Sequence, residues 1–176
     1  MPRKHLTVVA ATLLLAGGAL VGWANLPDSP PLPAGAVANR VVVDKSARTL
    51  TLLRAGQALK TYRVSLGGQP AGHKQREGDE RTPEGVYTLD YRKADSSAHR
   101  ALHISYPNGA DRARARAAGE DPGGLIMIHG LWNGLGWLGR LHRLRDWTDG
   151  CVAVTNREMD EIWRAVPVGT PIEIRP

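Results

Sequence analysis

The 176-residue chain carries a single cysteine, Cys151. One thiol cannot close an internal disulfide, so no covalent staple supports the fold. No cysteine lies near the small-residue stretch Gly22-Trp23-Ala24, which excludes a lipoprotein-type anchor there. The chain shows no internal repeat and no second domain. Charge of one sign is also in short supply: 23 Lys and Arg against 17 Asp and Glu give +6, and without Arg3 and Lys4 the balance falls to +4. So mild an excess suits an anionic polymer or membrane surface. The short paired spacings of a structural zinc site are missing as well.

What the chain does have begins with a leader. Arg3 and Lys4 form a basic start, Leu6 to Val21 carries no charge, and Gly22-Trp23-Ala24 offers the small residues a signal peptidase wants. The run from Leu6 to Asn25 also approaches the roughly 20 residues a membrane-spanning helix needs. Residues 1–24 are therefore expected to be a signal peptide or a membrane anchor, and either role places the remainder outside the cytoplasm, away from nucleic acid. Residues 25–38 are proline-rich and read as an extended linker. Residues 39–176 have the length of one ordinary domain.

That domain reads as mainly β. Arg40 to Asp44 and Thr49 to Leu53 are short, β-branched and separated by a polar turn, and Leu59 to Ser65 alternates after a second turn at Ala55-Gly56-Gln57. Further strands are expected over Gly85–Tyr91, Leu102–Ser105, Leu125–Ile128, Cys151–Val154 and Pro171–Ile174. Two long loops, Gly67–Pro83 and Pro107–Gly124, have the size of functional loops. Near the end, Thr155 and Glu158 form a capping box ahead of a helix whose Met159, Ile162, Trp163 and Val166 recur at core spacing. Asp111–Gly119 has the composition of a second short helix. The arginine clusters at Arg112–Arg116 and Arg140–Arg145 read as solvated faces.

An exposed thiol is a liability in an oxidising compartment, so Cys151 asks for a reason, and nucleophilic catalysis is the leading one. Gly150 before it lets the backbone bend and lets a carbonyl approach the adjacent amides. A free cysteine is only a few per cent thiolate near neutral pH, so it needs a base. His129 ends the strand-like run Leu125-Ile-Met-Ile-His129; His142, nine residues before the cysteine, competes for the role. His73, His99 and His103 read as surface or structural residues.

These segments together resemble the YkuD-type L,D-transpeptidases of bacterial cell-wall metabolism. His129 with Thr148-Asp149-Gly150-Cys151 is similar to that family's histidine and its Ser/Thr-His-Gly-Cys signature. Val64-Ser65-Leu66-Gly67, Gly78 through Tyr87 and Ile126 through Gly130 come in the family's order across nearly the whole domain. The resemblance implies a flattened β-sandwich with one or two short helices and the cysteine in a groove under a loop. It implies Cys151 as nucleophile and His129 as base, the Gly130 carbonyl orienting the imidazole, and the amides of Gly150 and Cys151 as an oxyanion hole. Peptidoglycan stem peptides would be the substrate, with an amine of another stem peptide or of an envelope protein as acceptor. No metal or organic cofactor is required.

Two positions depart from the family pattern. Asp149 stands where the family carries histidine, and Ala153 where it often carries arginine. An aspartate beside the thiol raises its pKa unless it turns away or pairs with Arg143 or Arg145. The stretch between His129 and Thr148 is also longer than usual and holds Trp132, Trp137 and Trp147. It is expected to form a lid or groove wall, with Trp132, Trp147, His142 and Arg145 as substrate-binding candidates. The alternative for the tryptophans, Trp137 above all, is core packing. Three other functions stay open: an L,D-carboxypeptidase or amide hydrolase using the same thioester, a metal site built from Cys151, Asp149, His129 and His142, and a non-catalytic envelope-binding module.

Overall fold

The computed structural model describes residues 16–176; Arg3, Lys4 and the first part of the uncharged run lie outside the described residues. Among the described residues no helix is long and apolar enough to cross a membrane. Residues 16–24 are helical. The domain then follows as β1 (Arg40–Asp44), β2 (Thr49–Arg54), β3 (Gln57–Arg63), β4 (Gly85–Ser96), β5 (His99–Ile104), α1 (Gly109–Ala118), β6 (Met127–His129), a 3-10 segment (Gly136–Leu144), β7 (Val152–Ala153), α2 (Asn156–Ala165) and β8 (Thr170–Arg175).

All eight strands form one sheet in the order β3-β2-β1-β8-β4-β5-β6-β7. β1 to β3 are a meander, its second turn made by Ala55 and Gly56, both at positive φ. β8 inserts between β1, which it meets parallel, and β4, which it meets antiparallel. The two edge strands do not stay apart. Ser65, just past β3, exchanges both backbone bonds with Ala153 of β7 at 2.8 and 3.0 Å, and Gly67 bridges Thr148 beyond it. The expected mainly β fold with short helices is present, and its faces belong to a single sheet curled until its edges meet at the chemically interesting end.

The core lies inside the curl. Val41, Val43, Leu50, Leu52, Leu89, Ile128, Val152, Ile172 and Ile174 come from alternating strand positions, and α2 contributes Met159 and Ile162. Thr155 caps α2 as its sequence indicates: its hydroxyl accepts from the Glu158 amide while the Glu158 carboxylate accepts from the Thr155 amide at 3.0 Å. Burying each of the large aliphatic side chains contributes roughly 1.5–3 kcal/mol.

Several expectations need correction. β4 runs five residues past Tyr91, and β5 starts at His99 rather than Leu102, because the outer part of this hairpin is exposed on both faces and interrupted by register shifts, so it has no alternation to read. β6 starts at Met127, since Leu125 sits at φ +56° with its side chain 70% exposed. The 3-10 segment was unexpected because Gly136 and Gly139 punctuate it as a loop. Residues 25–38 are not a free spacer. Pro30 accepts from Lys60 at 2.8 Å, Leu32 packs against the core, and Ala38 is buried with its amide bonded to Ala165.

Candidate active site

β6 and β7 are parallel neighbours with Ile128 opposite Val152 and His129 opposite Ala153. Ile128 and Val152 point into the core, so strand alternation turns His129 to the other side of the sheet. Cys151 immediately precedes β7, which is shorter than the expected Cys151–Val154 strand. The chain reaches it through Gly150 at φ +122°, where a Cβ would come within 2.5 Å of the Arg81 carbonyl. Only glycine fits between this turn and the Gly67–Pro83 loop.

Thr148 pins the turn. Its hydroxyl donates to the Cys151 carbonyl at 2.8 Å and accepts from the Gly150 amide at 3.2 Å. This local bond changes the expected oxyanion hole: the Gly150 amide is engaged, whereas no hydrogen bond among the described residues engages the Cys151 amide. The two-residue reach of a threonine hydroxyl back to its own backbone accounts for the difference.

His129 is buried, and burial lowers its pKa against the opposing effect of its bond to Gly130. Its Nδ1 lies 2.6 Å from the Gly130 carbonyl, an acceptor only, so the neutral ring carries its proton on Nδ1 and a lone pair on Nε2. The competing His142 is held elsewhere. The Ser65 hydroxyl donates to the His142 carbonyl and lies 3.1 Å from His142 Nδ1. Burial, then the neighbouring Arg143 and His129, push the His142 pKa down to about 3, so it stays neutral. The Trp147 ring stands edge-on to both histidines, at 5.8 and 6.4 Å between centroids.

The thiol of Cys151 faces backbone. Sγ accepts from the Met127 amide at 3.4 Å and lies 3.6 Å from the Leu125 carbonyl; no hydrogen bond joins it to His129. Burial pushes the thiol up to about 11; the Met127 amide opposes this, Asp149 adds to it and Lys74 opposes it. Asp149 is exposed and forms no ion pair among the described residues, while Arg143 is committed to Asp28 and Glu158. Ala153, which stands where the family often carries arginine, is fully buried between Ser65 and β6.

The lengthened 130–147 stretch borders a hollow that neither His129 nor Cys151 lines. Leu131, Trp132, Leu135, His142, Arg145 and Trp147 are among the residues lining this hollow of about 520 Å³. Trp132 tilts against Trp147 at 6.4 Å. Trp137 is 53% exposed, so the core-packing alternative fails for it. Among the described residues no three His, Cys, Asp or Glu side chains converge to hold a metal ion, and the four residues of the metal alternative do not form such a group. His73, His99 and His103 pair with Asp111, Asp160 and Asp90, in structural settings.

Sequence reasoning missed Lys74 and Asp79. Lys74 is 2% exposed and bonds Asp79 at 2.8 Å. Asp79 also accepts from the amides of Gln75, Arg76 and Arg81. Burial works against its ionisation, yet Lys74 and these amides hold the carboxyl at about 2. The pair folds the loop that presents the Arg81 carbonyl to Gly150. A cation and an anion five residues apart in a Gly-rich stretch look like solvated charges, so the signal was ordinary.

Comparison with known proteins places the domain in a family. Residues 38–174 match the family model of the YkuD L,D-transpeptidase catalytic domain. The chain is 33% identical over 132 residues to YafK of Escherichia coli K12, itself only provisionally named an L,D-transpeptidase; the match covers 72% of this chain and 46% of YafK. It thus spans about half the length of that curated relative. The fold is shared with the helical cell shape determining protein Pgp2 from Campylobacter jejuni (TM-score 0.58, 20% identity, 89% of this chain and 54% of that one). It is shared also with Bd1075 from Bdellovibrio bacteriovorus (TM-score 0.53, 24% identity, 82% and 50%). The chain belongs to the L,D-transpeptidase family, whose enzymes act on peptidoglycan stem peptides.

Proposed function

We propose that the domain is an exported, cysteine-dependent L,D-transpeptidase that works through a thioester on Cys151. The observation that carries this reading is the parallel β6–β7 pairing, which sets His129 opposite Ala153, two residues after Cys151, with the His129 tautomer fixed by Gly130 so that Nε2 is the proton acceptor. The thiol turns from Leu125 and Met127 towards His129, gives up its proton to Nε2 and attacks the carbonyl of the third stem-peptide residue. The oxyanion forms against the Cys151 amide. His129 then returns the proton to the departing amine of the terminal D-alanine, leaving the acyl-enzyme. An amine of a second stem peptide, or a lysine of an envelope protein, resolves it into a cross-link.

Asp149 supports an amine acceptor. It is an exposed, unpaired carboxylate next to the thiol, placed to draw a cationic diamino acid side chain. Water in place of the amine gives carboxypeptidase or amide hydrolase activity by the same route. Incubating the full chain with muropeptide tetrapeptides, followed by mass analysis, separates the outcomes. Dimers joined between third residues support transpeptidation, whereas tripeptide with free D-alanine and no dimer establishes the hydrolytic alternative. If neither product appears and no acyl adduct forms on Cys151 with a carbapenem, the domain is a binding module.

A further inference from the structure

The end of the leader is built into the catalytic domain. Ala24 is 1% exposed, and its carbonyl oxygen sits 2.3 Å from where a Cβ on Gly139 would be. Gly139, at φ +47°, is what allows the 3-10 segment to kink around that peptide. Asn25 donates to the Trp137 carbonyl at 2.8 Å. Arg140 stacks on the Trp23 ring at 4.4 Å, donates to the Trp23 carbonyl, and pairs with Asp28 at 2.6 Å. Arg143 bonds the same aspartate and, at 2.6 Å, Glu158 of the α2 capping box.

The charges explain why the whole segment is needed. Two largely buried guanidiniums lie side by side, and Asp28 is the carboxylate they share. Burial acts against ionisation of Asp28, but Arg143 and Arg140 hold its carboxyl below the ordinary value. The Nε atoms of both arginines are already buried without partners. A cut after Ala24 would take away the Trp23 ring and the carbonyl that Arg140 uses. It would also create an ammonium on Asn25, charged near pH 7 because α-amino groups titrate at about 7.7–8.0. That group would be a third positive charge in the cluster.

We infer that the exported protein keeps its leader, and that residues 21–28 act as a clamp fixing the 3-10 segment to the domain, so that the enzyme works tethered to the membrane. The inference rests on reading residues 1–24 as a leader and does not depend on the proposed reaction. The clamp is tested on the full chain produced in an export-competent bacterium. Intact mass should show an N-terminus that still contains Trp23, in a membrane fraction released only by detergent. Amide hydrogen exchange over residues 136–144 should speed up at least tenfold in Trp23→Ala and in Asp28→Asn, with α1 unchanged. A chain beginning at Asn25, or unchanged exchange in both variants, overturns the proposal. Neither readout uses turnover, so a failure here is distinct from a failure of the transpeptidase reading.

Discussion

The two halves of the site are prepared to different degrees. On the β6 side, His129 is buried, neutral, fixed in one tautomer by Gly130 and braced by Trp147. On the β7 side, the Cys151 thiol is bonded to strand backbone, raised to about 11 and beside an unpaired carboxylate. The proposed base is ready at rest and the proposed nucleophile is not. A preformed thiolate–imidazolium pair would need the reverse electrostatics, with a lowered thiol and a raised imidazole. The difference implies that proton transfer accompanies attack once substrate has displaced the thiol from Leu125 and Met127. This arrangement also keeps the unpaired sulfur poorly reactive between turnovers.

Removing each half in turn gives the largest effects. Cys151→Ala should abolish the carbapenem adduct in mass spectra; an adduct that persists in this variant refutes the assignment of the nucleophile. His129→Gln keeps polarity but supplies no base, and should lower kcat/KM by about 10²–10⁴-fold. His142→Gln should cost far less, because its Nδ1 is engaged with Ser65. If the two histidine variants are equally impaired, the division of labour drawn here is wrong. The acid limb of kcat/KM should also lie below the ordinary histidine value, since burial keeps His129 neutral to lower pH.

How far these halves could be read from sequence follows from how local their causes are. The capping box at Thr155, the alternation of β1 and β2 and the Gly150-Cys151 step depend on neighbours within a few residues, and all were legible. The Ser65–Ala153 bridge that closes the sheet joins distant segments through backbone alone, so no side chain announces it. Lys74 and Asp79 are buried by the loop they themselves fold, which makes charged residues look solvated until the loop is seen. His129 was legible through its strand and Gly130. The resting position of the thiol was not, because it depends on Leu125 adopting φ +56° and so presenting its carbonyl to Sγ.

The aromatic brace on the histidine side offers an intermediate effect. The Trp147 ring stands against both histidines, and the Trp132 ring stands against Trp147. Trp147→Ala should let the His129 ring shift and cost on the order of tenfold in kcat/KM, since small misplacements of a reacting group are expensive. Trp132→Ala should cost roughly two- to threefold, mainly in KM, because it lines the hollow rather than the base. Intact turnover and affinity in both variants would show that the 130–147 stretch takes no part.

The smallest effect should come from Asp149, and its sign is the informative part. The reactive species is the thiolate, so a raised thiol pKa lowers alkylation at neutral pH, and reactivity climbs as pH passes through about 11. Asp149 contributes to that rise through like-charge repulsion, after burial, the larger cause. Asp149→Asn should therefore speed iodoacetamide labelling at pH 7.5 by about a few-fold. The midpoint should stay well above the ordinary thiol value, because burial is untouched. High salt should reproduce most of the gain in the unmodified chain, since the carboxylate is exposed and screening acts on it first. Slower labelling in Asp149→Asn would mean that the carboxylate helps the thiol ionise, and the contrast between a ready base and a restrained nucleophile would then fail on its weaker side.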